Sequence, residues 1–367
     1  MKRNDMKKSQ VRESSSRLRS QLVAGASCAL LLLAAACGGG DSDAKLDSSS
    51  QTGKVPTFDL KGEKVRITFG DNSAQSLGNR YLVTQLEKWG AEVDPITLTT
   101  ATGLSAIIAG QADFAAGQGA DEAVLGISKG TDLTAIGAPD SANSYVVIAT
   151  NSIESVDELK GKRIATSGPG GFNTALMYVA LKNEGIDPEK DVSLVTIGGS
   201  PERSAALLTG KVDATVVFFS DWAELKAKSP KVHLLASLDE LVPNIPDLYY
   251  YGPTKYWKDN PEVATAVACA NLSANAIIAG DKDAFVKFAT DTIKGSDPKV
   301  TDATYDELIR LGNWPTKADE IMNQDGLDGL VELMIQAGAL EKPTDTSKLV
   351  DLSYLEKAAE MGCGASE

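Results

Sequence analysis

The chain has 367 residues, a formal net charge of −14 and 43% hydrophobic residues. That length suits two lobes rather than one small core. The acidity excludes nucleic acid and anionic lipid surfaces as partners, since both would repel it, and its spread along the chain reads as a solubilising surface.

The N-terminus reads as a targeting segment. Residues 1–21 hold Lys2, Arg3, Lys7, Lys8, Arg12, Arg17 and Arg19 against only Asp5 and Glu13. An apolar Leu/Ala run, Leu22 to Ala36, follows and is short for a membrane span. It ends in Ala34-Ala35-Ala36-Cys37, where small residues fit a signal peptidase and the cysteine thiol fits diacylglycerol attachment. This resembles a bacterial lipobox, with Ala34 where leucine is commoner. The alternative is an ordinary signal peptide with an incidental cysteine. The expected organisation is a signal peptide over 1–36, lipidation at Cys37 and a flexible Gly/Ser/Asp-rich tether over 37–63. Residues 1–36 carry seven basic and two acidic side chains, so their removal takes the net charge from −14 to −19.

Beyond the tether, short β-branched runs alternate with helical stretches, which predicts α/β layers. Val65–Phe69 reads as a strand. Leu77, Tyr81, Leu82, Leu86 and Trp89 then fall at helical spacing, and Gly90 closes that helix. A strand is expected near Ile96–Thr99, a helix over Leu104–Ala109, a strand over Ala112–Ala116 and a helix over Val124–Ser128. Leu133–Ile136 and Tyr145–Ala149 read as strands. Ser155 and Glu158 have capping-box spacing. Lys162–Thr166 is a predicted strand, Asn173–Asn183 a helix and Val192–Ile197 a strand. Ser200-Pro201 opens a helix with a capping side chain and a first-turn proline. Residues 231–236, holding the single histidine His233, read as a strand; Leu248–Tyr251 leads back out, and from Pro261 the pattern is mainly helical.

Two segments match when slid by one hundred residues: AIIAGQADFAAGQGAD (Ala106–Asp121) and ALLTGKVDATVVFFSD (Ala206–Asp221). Each is an apolar helix ending on glycine, then an aspartate, a strand and a polar turn. Either this is a turn common to α/β proteins, or two lobes share one plan and aim their strand ends at a common cleft.

Five pieces carry a family resemblance, in order: Gly110–Ala115 (GQADFA), Ser155–Lys162 (SVDELKGK), Gly185–Pro188 (GIDP), Gly210–Ala214 (GKVDA) and Asn260–Glu262 (NPE). Together they resemble the periplasmic binding protein type II family, in its nitrate/sulfonate/taurine and pyrimidine-precursor branch, over about residues 64 to 280. The resemblance implies two α/β lobes joined by two crossing strands and closing over a solute. It places the crossings near 147–153 and 246–254. The lobes become 64–150, 151–250 and, returning to the first lobe, 251–367. It also implies delivery to an ABC permease and its ATPase.

Four turns are expected to line the cleft. They are Asp71-Asn72-Ser73-Ala74, Gly117-Gln118-Gly119, Ser167–Thr174 and Phe219-Ser220-Asp221-Trp222. In the third, Ser167, Gly170, Gly171, Phe172 and Thr174 present backbone amides at a helix start, suited to a carboxylate, sulfonate or polarised carbonyl; the alternative is a plain strand-to-helix turn. Asp71 and Asp221 either cap helices or put negative charge near the solute. In the second case a small organic solute with an amine, an aminopyrimidine or hydroxyls fits better than a bare anion. Phe172, Phe219 and Trp222 either stack on a ring or belong to the core. Neither a metal cluster nor a nucleophile or nucleotide motif is visible, so no cofactor and no enzyme activity is expected. Cys269 and Cys363 are either a disulfide or two unrelated thiols. A monomer is expected. The competing functions are a pyrimidine-precursor-related enzyme on the same fold and a sensory lipoprotein without a transporter.

Overall fold

Runs of β-branched and apolar residues between glycine-closed helices pair into two five-stranded sheets in the computed structural model, which describes residues 55–69, 74, 77–96, 102–293 and 295–365. All of these lie in one compact unit, Ala44–Glu367. Asp71, Asn72, Ser73 and Cys37 fall outside the described residues.

The first sheet has the order β2-β1-β3-β10-β4 and contains β1 (Lys64–Phe69), β2 (Glu92–Ile96), β3 (Phe114–Gly119), β4 (Leu133–Gly137) and β10 (Leu248–Pro253). The second has the order β7-β6-β8-β5-β9 and contains β5 (Tyr145–Thr150), β6 (Arg163–Thr166), β7 (Ser193–Thr196), β8 (Ala214–Phe218) and β9 (Val232–Ser237). Place by place the two orders correspond. In each, the first three strands are parallel and the fourth runs antiparallel to both neighbours.

The one-hundred-residue match therefore has a structural meaning. Helices α2 (Gly103–Ile108) and α5 (Ser200–Leu208) occupy equivalent places, and both end at a glycine with positive φ, Gly110 at 67° and Gly210 at 70°. The aspartate that follows is clamped the same way twice. Arg66 Nη2 donates to Asp113 Oδ1 at 2.6 Å, its Nε to Oδ2 at 3.3 Å and its Nη1 to the Gly110 carbonyl at 2.6 Å. Arg163 Nη2 donates to Asp213 Oδ1 at 2.8 Å and to the Gly210 carbonyl at 2.9 Å, and its Nε donates to Asp213 Oδ2 at 3.0 Å. A guanidinium fork fits this shared geometry, whereas a point-charge ammonium does not.

The remaining helices cover the sheets: α1 (Leu77–Lys88), α3 (Ala120–Ser128), α4 (Phe172–Asn183), α6 (Phe219–Lys228), α7 (Leu238–Leu241), α8 (Thr254–Asp259), α9 (Pro261–Gly280), α10 (Lys282–Thr292), α11 (Pro298–Arg310), α12 (Ala318–Ile321), α13 (Gln324–Gln336) and α14 (Ser353–Glu360). Helix α9 is long and apolar enough to cross a membrane by length and composition, yet 83% of its apolar window is buried inside the protein. It is the helix on which α1, α10 and α14 pack. Cys269 of α9 is disulfide-bonded to Cys363 beyond α14.

Several local expectations shift. The packed body starts before residue 64: Phe58 meets Trp89 edge-on at 4.7 Å, the Leu60 amide donates to the Trp89 carbonyl at 2.9 Å, and Leu60 is buried. Two apolar anchors in a polar stretch hold it down, so a tether extending to 63 is too long. Strand β2 is at Glu92–Ile96, starting before the expected Ile96, with Pro95 inside it, and residues 97–99 lie outside the described residues; an edge strand tolerates a proline. The Ser155 and Glu158 capping box does not form. Val156–Leu159 is a 3-10 turn, and Glu158 Oε2 instead accepts the Glu154 amide at 2.8 Å. The cap of α5 is Gly199, with Ser200 as the first helical residue. Strand β5 belongs to the second sheet, so the first passage between sheets precedes Tyr145 instead of lying at 147–153. Its run Val146-Val147-Ile148 is buried on both faces, and such a run reads alike in either sheet.

Candidate ligand cleft

The C-terminal ends of β3 and β8, each central in its sheet, feed turns that lead into α3 and α6. Open α/β sheets bind ligands outside such strand ends. Around the β8 turn lies a cavity of about 340 Å³, bordered by Ala74, Ser200, Phe218, Ser220, Asp221 and Thr301 among others. That volume is at the low end for small-molecule sites. The wall comes from both halves: Ala74 precedes α1, Ser200 opens α5, Phe218 ends β8, Ser220 and Asp221 lie in the first turn of α6, and Thr301 lies on α11.

Three aromatic rings join the third and fourth expected turns. Tyr145 stacks on Phe218 with ring centroids 4.2 Å apart and meets Phe172 edge-on at 6.0 Å. Phe218, not the expected Phe219, borders the cavity. Phe219 packs with Trp222 in the core between α5, α6 and the second sheet. The last strand residue and the first helical residue point to opposite sides, so an error of one position exchanges ligand face and core.

The third turn is built as a glycine-rich helix entry. Gly168 and Gly170 have φ of 104° and 81°. Asn173 Oδ1 accepts the Ser167 amide at 3.0 Å, and Thr174 Oγ1 accepts the Gly168 amide at 3.1 Å. Ser167 Oγ and Thr174 Oγ1 lie 3.4 Å apart. Both hydroxyls thus shape the turn. Gly171, the cap of α4, supplies no side chain to the first-turn amides, and Phe172 is the first helical residue.

The second turn carries a bulge. Between Tyr249 and Tyr250 the β10–β3 register skips Gly117, whose φ is 63°. A Cβ there would lie 2.3 Å from Asn79 Nδ2. Asn79 on α1 is 3% exposed, and among the described residues neither end of its amide has a hydrogen-bond partner. The Gln118 side chain lies against Gly103, where a Cβ would be 2.7 Å from its Cγ. Asn79 was not anticipated. It sits against Gly117 of the second turn, and its buried amide finds no partner among the described residues.

Glu224 lines the cavity beside Asp221, and two further charged groups lie behind the turns. Arg203 is 3% exposed and donates from Nε to the Val216 carbonyl at 2.8 Å and from Nη1 to the Ile197 and Gly198 carbonyls. Burial lowers its pKa, while Tyr145, Asp221 and Glu202 pull it back up. A buried cation therefore stands behind the β8 turn. A signal for it existed: Arg203, Ala206 and Leu207 share the buried face of α5. On the other sheet, Asp121 holds the place that Asp221 holds in the repeat. Burial, with repulsion from Glu122, pushes its carboxyl up to about 7.

Residues 87–284, more than half of the chain, match the protein family described as NMT1/THI5 like. The chain belongs to the NMT1/THI5-like family. YtlA of Bacillus subtilis (strain 168), to which a binding role is ascribed by name, is 24% identical over 254 residues, covering 65% of this chain and 74% of its own. The periplasmic aliphatic sulphonate-binding protein SsuA of Escherichia coli superposes with a TM-score of 0.65 at 18% identity, over 80% of this chain and 94% of its own. The periplasmic nitrate-binding protein NrtA of Synechocystis PCC 6803 superposes at 0.60 and 14% identity, over 84% and 90%. At such identities the likeness establishes the fold, and this NMT1/THI5-like chain has the two-sheet architecture of periplasmic binding proteins.

Proposed function

We propose that the chain is an extracytoplasmic solute-binding lipoprotein of an ABC importer, capturing a small organic solute and delivering it to a membrane permease without chemical change. The observation that carries this reading is the cavity at the β8 turn, whose wall combines residues from both halves of the fold with an aromatic border at Phe218. A flat ring fits against Phe218 and Tyr145. The solute's polar end fits Asp221 and the open amides of α4. With Arg203 behind Asp221, the cleft suits a solute carrying both a ring and a polar or ionised end: a sulfonate, an aromatic acid or a pyrimidine precursor. Cleavage before Cys37 and lipidation there would hold the monomeric receptor within reach of its permease and ATPase, by a leash shorter than the composition suggested.

A thermal-shift screen over sulfonates, aromatic acids, pyrimidines, thiamine precursors and flavins tests the reading. A 1:1 ligand at one hundred times its Kd stabilises by about 2.7 kcal/mol. The expected result is one chemical class that raises the melting temperature and is recovered unchanged. Turnover of the bound compound would overturn the transport reading in favour of an enzyme.

A further inference from the structure

The start of α4 and the guanidinium of Arg203 meet at one end of the second sheet. Arg203 Nη1 donates to the Ile197 carbonyl at 3.4 Å, the Ile197 amide donates to the Thr166 carbonyl at 2.9 Å, and Thr166 leads directly into the Ser167–Thr174 turn. Tyr145 joins the two from the side. Its ring meets Phe172 edge-on at 6.0 Å, and it lies close enough to Arg203 for the two to interact electrostatically.

Three kinds of donor are left over here. Arg203 is 3% exposed, and its hydrogen bonds use Nε and Nη1 only, all to neutral carbonyls. Its Nη2 has no acceptor among the described residues and, unlike the sealed amide of Asn79, keeps open surface. Asn173 is 6% exposed; its Oδ1 is taken by the Ser167 amide, while its Nδ2 has no acceptor among the described residues and also keeps open surface. The backbone amides of Phe172 and Asn173, the first two of α4, make no hydrogen bond among the described residues. The way in is open, since Pro169 and Gly170 are exposed and Gly171 and Phe172 half-buried.

Each of these groups donates and none accepts. A buried guanidinium bonded only to neutral carbonyls bears a desolvation cost that an anion in contact would offset, and the helix start adds the positive end of its dipole. The cavity at the β8 turn has the opposite sign, with Asp221 and Glu224 in its wall. Charge therefore separates along the cleft.

We propose that Arg203 Nη2, Asn173 Nδ2 and the first amides of α4 form an anion subsite that takes the carboxylate or sulfonate of the solute. The ring of that solute lies along Tyr145 and Phe218, and any donor-bearing end points toward Asp221. Such a cleft selects organic acids over their neutral isosteres. This selection rests on the receptor reading above; the anion subsite does not.

Titration calorimetry on the purified protein with benzenesulfonate and its neutral isostere benzenesulfonamide tests the subsite. Saturable 1:1 binding of the sulfonate is expected, at least tenfold tighter than the sulfonamide. Asn173→Asp keeps an oxygen for the Ser167 amide and puts a carboxylate in the first turn of α4, where it suits the helix dipole. The melting temperature should therefore hold while sulfonate affinity falls at least tenfold and sulfonamide affinity does not fall. Arg203→Met should bring the two affinities together. No sulfonate binding up to millimolar concentration at low salt, equal affinities in wild type, or a sulfonate affinity unmoved by Asn173→Asp overturns the subsite. Chemical conversion of a bound acid would overturn the receptor reading and leave the subsite standing.

Discussion

Replacing Cys363 by alanine removes the bond to Cys269 and frees the end of the chain from α9. The two cysteines are 94 residues apart. Closing a loop of that size removes denatured-state entropy equivalent to about 4.7 kcal/mol at 25 °C, and native disulfides commonly deliver about 2–4 kcal/mol. A packed body of roughly 310 residues has an unfolding entropy near 0.65 kcal/mol per kelvin, so the melting temperature should fall by about 3–7 °C. Alanine is preferred to serine because Cys363 is 5% exposed and a hydroxyl would be buried there. Calorimetric melts of a soluble chain beginning at Gly38 should show the fall for Cys363→Ala and the same fall for wild type under strong reductant. Mass labelling of the unfolded, unreduced chain should find no free thiol. Two reactive thiols, or a melting temperature unmoved by reduction once both thiols are shown to be exposed, would refute the reasoning.

The paired clamps allow an internal comparison: Asp113→Ala should cost about 2 kcal/mol and Asp213→Ala about 1, because the Asp113 side chain is 15% exposed and that of Asp213 30%; urea unfolding measures both. Asp121 makes a pH prediction. Its folded pKa of about 7 lies above the ordinary 3.8, so the stability it confers is full below about pH 4 and is lost as pH rises through 7. Asp121→Asn should therefore gain on wild type in urea midpoint from pH 4 to pH 8, and a constant difference would exclude the shift. Phe218→Ala should weaken binding of any ring-bearing cleft ligand about tenfold with a modest change in melting temperature, whereas Phe219→Ala should do the reverse, since only Phe218 borders the cavity. Gly117→Ala should destabilise by about 1–3 kcal/mol, combining a left-handed backbone with displacement of Asn79, as denaturant midpoints would show.

The alternation of strands and helices was legible because five of the early helices close on a positive-φ glycine, at Gly90, Gly110, Gly130, Gly185 and Gly210. The repeat was legible at four identities because clamp and cap both need fixed residue types. What escaped depended on long-range pairing. Nothing local in Val146-Val147-Ile148 says which sheet takes β5. The proline in β2 is informative only once the strand is known to lie at an edge. In the cleft, the turns were locatable from strand ends, but the inward residue of Phe218-Phe219 was not, since a strand-to-helix junction breaks the alternation that would assign it. Asn79 falls inside an otherwise ordinary amphipathic helix, and only its lack of partners marks it.

The position of β10 between β3 and β4 bears on how the protein is made. The second sheet draws all its strands from one continuous stretch, Tyr145 to Ser237, while the first needs a strand ending at Pro253 to join β3 to β4. As the chain emerges N-terminus first, the later-starting sheet is the one that can finish first. The earlier strands must wait with the facing edges of β3 and β4 uncovered. During that interval they are open to pairing with another chain, and the yield of correctly folded protein depends on how quickly residues 248–253 arrive.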